Sequence, residues 1–443
     1  MKNISELKRY PRFHDEGRIV FEKFLSTFLN CHVNIQIHKI DEFEKGMGID
    51  VTTNVLRNCY DWHSKTGEMI IVPKVYGEKP DDIIAILPIR LSGAALDFVP
   101  RNYFEKITRT ISHYLSRCYA HKFQGSKGYF GKGFERDVMS SCILEGAQGR
   151  DTIGYLLALI QDLSCTTFEG KFFSTGFIFT RSEHDYARNN RNGTLIKLAT
   201  EKSILKDIVN DKRFWYLSDG SSNIYLVNSE LKIRNMYIAN NMYTNFLDAY
   251  SLSRTLLGSD VLFRVTGPNQ ISVVKSDKIE VCYTENQWKF RNYNYITDTI
   301  AKHSSASPQT VDAILSHVLY CSHNQVSSIL WLPDDCSSKS LSKVLVSMKP
   351  FFNSHISICE DLHKQIVRRL ISSDGVTIIN HEGKIICHGA IVNLNQVSSQ
   401  GQMGTGESAT KLLAANGIAI KISQDGNIKI YYYSDDCLKS LVF

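Results

Sequence analysis

Apolar residues recur at helical spacing in five places along the chain. The stripes are Phe21, Phe24, Leu25, Phe28 and Leu29; positions 104, 107, 111, 114, 115 and 118; Ile153, Leu156, Leu157, Ile160 and Leu163; Val311, Ile314, Leu315, Val318 and Leu319; and Leu362, Ile366, Val367 and Leu370. Between them lie short apolar runs that read as strands. In the first half these are Val33–Ile37, Met69–Val72, Ile83–Leu87, Phe172–Phe173 and Gly176–Phe179. Next come Ile224–Val227, Val261–Val265, Ile271–Val274 and Ile279–Tyr283, with a Gly267-Pro268-Asn269 turn between two of them. Beyond residue 300 helices and strands alternate: Ser328–Leu332 and His355–Cys359 read as buried strands around the later helices.

The last quarter has a distinct order. Val376–Ile379, the turn Asn380-His381-Glu382-Gly383 and Lys384–Val392 make one hairpin. Gly404-Thr405-Gly406-Glu407-Ser408 then opens an apolar helical run, and Ile418–Ile422, the turn 423–427 and Ile428–Tyr431 make a second hairpin. The small, polar, proline-ended stretch Lys302–Pro308 marks the best domain boundary. The expected class is α/β. A C-terminal mixed β-sheet flanked by helices occupies residues 309–435, after an α/β region over 1–150 and a strand-rich α+β domain over 151–301.

Composition changes this little. Of the 443 residues, 43% are apolar and 22% charged, which leaves ample material for cores. The net charge of +6 tolerates anionic ligands without marking a dedicated nucleic-acid binder. The 11 cysteines are scattered with no C-x-x-C pair, as expected of reduced thiols rather than disulfides or a zinc ribbon. No apolar run reaches the length of a membrane span, and the start lacks a signal-peptide core, so a cytoplasmic protein with no membrane contact is expected.

Candidate chemistry concentrates in the last quarter. Asp374 stands at a strand entrance, and a carboxylate facing a glycine-rich helix start can hold a metal and a phosphate chain together. Asp374-Gly375 is also an ordinary turn into a strand. Thr405 and Ser408 suit phosphate donation or helix capping, and Ser423 a ligand contact or a loop. His381 and His388 read as surface histidines. Residues 401–408 nearly spell a P-loop, but Glu407 replaces its lysine and a hairpin replaces the single preceding strand, which excludes a Walker-type site.

Elsewhere the signals are thinner. Arg101, Lys106, Arg109 and Arg117 line one face of the helix over 101–122, and the loop 125–133 mixes glycines with Lys127, Tyr129, Phe130 and Lys132, so nucleic acid is a possible partner. His113, Cys118 and His121 lack a second ligand cluster for a metal. Glu169, Arg181, Glu183, His184 and Asp185 gather near strand ends and suit either a small ligand or solvent.

The order of elements over about residues 309–435 resembles the diadenylate cyclase domain, the nucleotide-binding module also found in the DNA-integrity-scanning protein. Asp374-Gly375-Val376 stands for the family's Asp-Gly-Ala, Gly404-Thr405 for the start of its Gly-Thr-Arg-His-Arg, and Ser423-Gln424-Asp425 for its Ser-Glu-Glu. The resemblance implies a metal-dependent nucleotidyltransferase that joins two ATP molecules into cyclic di-AMP, with one ATP in each of two facing domains and hence a homo-oligomer. It implies Mg2+ or Mn2+ on Asp374, and nucleotide contacts from Gly375, Gly404, Thr405 and Ser423; Gly406 and Ser408, which stand where the chain departs from the family, are expected to add contacts of their own through the helix start. Residues before 300 match the placement of sensor segments, so an N-terminal regulatory ligand is expected.

One departure stands at the centre of the motif: Gly406-Glu407-Ser408 replaces Arg-His-Arg, removing the planar donor forks that offset phosphate charge. Three substitutes are open: the amides of residues 404–407, Lys411 one turn on, or Glu407 joining Asp374 as a catalytic metal ligand. The alternative function is a catalytically inactive nucleotide-sensing module that signals to a partner protein.

Overall fold

Ser307 and Pro308 begin the C-terminal half's longest helix for local reasons. The Ser307 hydroxyl accepts from the Thr310 amide, and proline at the first helical position loses no hydrogen bond. The computed structural model describes residues 18–35, 62–63, 68–71, 74–76, 83–86, 89–92, 98–120, 132–143, 149–188, 193–239, 248–347, 356–394 and 404–443. The chain folds into two units, Met1–Asn240 with Thr255–Arg291, and Asn241–Arg254 with Asn292–Phe443.

The first unit is built on an 8-stranded sheet. Its central strands, Thr175–Phe179 and Val261–Gly267, stack Phe177 on Phe263 with ring centroids 5.1 Å apart, and the helix Arg150–Ser164 packs against Val261–Gly267 and the neighbouring strand Gln270–Lys275. A separate 4-stranded sheet includes His32–Ile35 and Glu68–Ile71. On the helix Arg101–Ala120 the apolar residues Phe104, Ile107 and Ile111 are buried while Arg101 and Arg109 are exposed. Most of the basic, glycine-rich loop 125–133, as well as His121, lies outside the described residues, as do the side chains of Arg117, Cys118 and His184. Glu169 sits exposed in a left-handed turn, and Glu183 accepts a hydrogen bond from the Asn235 amide.

The second unit is a mixed α/β domain. Its elements in order are α1 (Tyr293–Ser304), α2 (Pro308–His323), β1 (Ser328–Pro333), α3 (Ser338–Val344), β2 (Leu345–Ser347), α4 (Lys364–Ile371), β3 (Val376–Ile379), β4 (Ile385–Val392), α5 (Thr405–Ala414), β5 (Gly417–Ile422), β6 (Ile428–Ser434) and β7 (Cys437–Val442). They form a 7-stranded sheet in the order β2-β4-β3-β1-β5-β6-β7. Only β1 and β3 run parallel, joined through α3 and α4, while every other neighbouring pair is antiparallel. The stretch 302–308 spans the end of α1, the turn 305–307 and the start of α2, with Ser305 in the left-handed region.

Period-two alternation sorts the sheet's side chains onto two helix-covered faces. Trp331, Val376, Ile378, Ala419 and Tyr431 meet Ala409, Leu413 and Ala414 of α5 and Leu341 and Val344 of α3. The opposite face buries Leu330, Leu332, Ile379, Ile418, Ile420 and Ile430, and helices α1, α2 and α4 contact these strands. Two expected elements differ. Residues 356–359 make only an isolated bridge, Ser357 with Lys384, because the chain passes the tip of the β3–β4 hairpin rather than running along a strand. Leu362 is 90% exposed in a short turn before α4, so only the later residues of that stripe face the core.

His317 on α2 gives this domain a pH dependence. The ring is 1% exposed, and burial pushes its pKa down to about 4 against an ordinary value of 6.5. Between these values the unfolded chain takes up a proton that the folded one does not, so the contribution is complete above pH 6.5 and is lost as pH falls toward 4. We expect a loss of about 3 kcal/mol across that window, read from urea midpoints, and a flatter profile in His317→Gln.

Candidate functional site

Three parts of the sequence motif reach one end of the second unit's sheet through strand register. Val376 of β3 pairs with Ile329 of β1, Ile329 with Lys421 of β5, and Lys421 with Lys429 of β6. Asp374-Gly375 precedes this row on one strand, and Ser423 follows it on another that runs the opposite way, so both lie beyond the same sheet end. The start of α5 lies over that row: a Cβ built on Gly406 would come 2.6 Å from the Lys421 Nζ and 3.9 Å from the Ile329 side chain.

Asp374 is exposed, and its carboxylate accepts a 2.9 Å hydrogen bond from the Gly375 amide. Glycine is required next. Gly375 has φ +91°, and a Cβ there would lie 2.7 Å from the Gly389 carbonyl carbon and 2.9 Å from the Ala390 carbonyl oxygen. Only a bare Cα lets the chain turn into β3 this close to β4. His388, one residue before Gly389, reaches Ser373 with its Nδ1 3.4 Å from the hydroxyl. His381 sits at the far tip of the β3–β4 hairpin, where its carbonyl accepts from the Ser307 amide.

At the other flank, Gly404 is the N-cap of α5 and no side chain caps the helix, so neither Thr405 nor Ser408 takes that role. The amides of Glu407 and Ser408 donate to the Gly404 carbonyl at 3.0 and 3.2 Å. Those of Thr405 and Gly406 belong to the first turn, where helices leave donors without an intrahelical acceptor. Thr405 is exposed, whereas Thr410 is buried and bonds back to the Gly406 carbonyl at 2.6 Å. Ser423 closes the β5–β6 turn, its amide donating to the Asn427 carbonyl at 2.9 Å.

Glu407 has a set of partners that the sequence did not reveal. Its Oε1 accepts from the Tyr431 hydroxyl at 2.9 Å and lies 3.4 Å from the Lys411 Nζ, and its Oε2 lies 3.2 Å from the Lys429 Nζ. Desolvation works against its ionisation, but hydrogen bonds from Tyr431 and Lys429 and the Lys429 charge outweigh it, holding the carboxyl below the ordinary glutamate value. Burial, then the bond to Glu407, pushes the Tyr431 phenol up. Glu407, expected as a metal ligand beside Asp374, has both oxygens engaged by Tyr431, Lys411 and Lys429. Among the described residues no group of three or more His, Cys, Asp or Glu side chains could hold a metal ion.

The structure thus brings Asp374, Gly375, Gly404, Thr405, Gly406, Glu407, Ser408, Lys411 and Ser423 to one end of the sheet, and adds Lys421, Lys429 and Tyr431. One signal for the additions was present in the sequence. Lys421 interrupts Ile418-Ala419-Ile420-Lys421-Ile422 at the parity of Ala419, so it breaks the face under α5 with a charge.

Fold and site define a mixed α/β domain with a carboxylate, an uncapped helix start and a lysine cluster at one sheet end. A curated protein of Methanocaldococcus jannaschii described as a diadenylate cyclase is 31% identical to this chain over 109 residues, covering 23% of this chain and 34% of that protein. The chain therefore spans about a third of that relative's length. No family model matches the chain. No helix among the described residues is long and apolar enough to cross a membrane.

Proposed function

We propose that the domain over residues 309–435 is a metal-dependent nucleotidyltransferase that joins nucleoside triphosphates, ATP foremost, into a cyclic dinucleotide second messenger. The observation that carries the reading is the register that brings Asp374-Gly375, Ser423 and the first turn of α5 to one sheet end. The partial likeness to a diadenylate cyclase agrees with it.

In this reading the 3′-hydroxyl oxygen of one nucleotide bonds to the α-phosphorus of a second. The bond from that phosphorus to the bridging oxygen breaks, pyrophosphate leaves with the electron pair, and the hydroxyl proton passes to solvent. A second transfer of the same kind closes the ring. Such chemistry asks for positioning and charge neutralisation more than for acid–base groups. Asp374 fits a hard cation, being an exposed carboxylate that leaves the other coordination positions to phosphate oxygens and water. Mg2+ or Mn2+ held there would polarise the α-phosphate. Glu407 stays outside that shell because its oxygens are bound. The amides of Thr405 and Gly406 and the positive end of α5 receive the phosphate chain. With one nucleotide per domain, two copies face each other, and the N-terminal unit regulates them by binding a ligand of its own.

The test is to incubate the purified chain with each nucleoside triphosphate and Mg2+ or Mn2+ and resolve products by mass spectrometry. A cyclic dinucleotide is expected, with two pyrophosphates released per ring. Unchanged triphosphate alongside measurable binding would assign the site to a catalytically inactive nucleotide sensor.

A further inference from the structure

Lys411 and Lys429 flank a single carboxylate, Glu407, and the Lys421 ammonium lies against the same first turn of α5, so three positive charges gather near one negative charge. Lys411 and Lys429 share it. Lys421 does not: no carboxylate among the described residues lies within ion-pair distance of its ammonium. Its Nζ occupies the space that a side chain at position 406 would need, against the first turn of α5. A helix start is itself electropositive, so an ammonium there is unfavourable unless an anion arrives to meet both. The lysine belongs to β5 and the glycine to α5, and the pairing needs both: with any side chain at 406 the ammonium would be displaced.

We propose that Lys421, with Lys429, binds the β- and γ-phosphates of the nucleotide, and that Glu407 is an internal anion holding the lysine cluster in place until the polyphosphate replaces it. This rests on the nucleotide reading above and deepens it. The two lysines come from strands, not from the helix motif, and supply the charge that the missing arginines do not. Lysine provides a point charge rather than a planar fork, which suits a flexible polyphosphate end better than one fixed oxygen pair. Because Glu407 competes for the Lys429 ammonium, it weakens binding of ligands with few phosphates and is overcome by those with several.

Isothermal titration with pyrophosphate, and with nucleoside mono- and triphosphates under metal without turnover (a non-hydrolysable α,β-linked analogue), tests this. Lys421→Met is expected to weaken triphosphate-analogue and pyrophosphate binding about tenfold or more and monophosphate binding far less, with a shallower salt dependence. Lys421→Arg should retain most of the affinity, and Glu407→Gln should tighten triphosphate binding several-fold. Circular dichroism of each variant separates loss of fold from loss of binding, and Lys429→Met repeats the test from the neighbouring strand. Triphosphate affinity unchanged in Lys421→Met, or weakened in Glu407→Gln, overturns the inference while leaving the cyclase reading intact if wild type makes product. Wild type that binds in this pattern but makes no product leaves the lysine assignment standing and removes the cyclase. Wild type that binds neither pyrophosphate nor triphosphate overturns both.

Discussion

Asp374→Ala is expected to cut cyclic-dinucleotide formation by about a hundredfold or more, while shifting the thermal midpoint by no more than a few degrees. The two halves of this expectation have separate physical grounds. Stability is little affected because the side chain is exposed and its hydrogen bond is to the next residue's amide. Losing such a bond at the surface costs about 0.5–1 kcal/mol. Activity falls steeply because a carboxylate that holds a divalent cation on a phosphate contributes several kcal/mol to the transition state, and about 2.7 kcal/mol is already a hundredfold. Product rate and thermal melt measured on the same preparation decide the matter. A variant that kept the wild-type rate would remove the metal–carboxylate mechanism, and one that lost rate and fold together would make Asp374 a structural residue.

Gly417→Ala is the substitution expected to damage the fold most, by about 3 kcal/mol or more in urea unfolding. Gly417 begins β5 with φ +140°, and an added Cβ would lie 2.1 Å from the Leu332 carbonyl oxygen and 2.8 Å from the Pro333 Cα. Backbone cannot yield as a flexible side chain does, so β5 must move away from β1. That movement breaks the register that carries Lys421 opposite Ile329 and Ser423 beyond it, and nucleotide binding should fall with stability. Gly404→Ala is the matched control. Gly404 has an extended conformation and nothing within 4 Å of an added Cβ, so its replacement should cost less than about 1 kcal/mol. Equal urea midpoints for Gly417→Ala and wild type would refute the close-approach argument.

Much of the second unit is legible in its amino-acid pattern. The stripe from Val311 to Leu319 is a helix because its spacing and its Ser307-Pro308 start agree, and both hairpins form where alternation and turn residues fall together. Asp374, the glycine-rich helix start and Ser423 are legible as a group only because their order resembles that of a known family's motifs. Less local features are not. Ile356 and Ile358 are buried as a strand's residues would be, yet they pair through a single bridge, since burial does not dictate a neighbour. Residues 241–254 belong with the C-terminal unit although residues 255–291 of the other unit intervene in sequence, because the Tyr250 hydroxyl and the Arg254 guanidinium both meet Asp312 of α2.

The sequence by itself determined the helices, the hairpins and the chemical types available at the glycine-rich turn, because these depend on side chains a few positions apart. Which charges meet at that turn was decided by the tertiary structure. Glu407 lies 22 and 24 residues from Lys429 and Tyr431 and meets them because α5 is laid across β5 and β6. Strand register, set by the packing of two apolar faces, turns an acidic residue that looked misplaced beside a phosphate into the counter-ion of a lysine cluster.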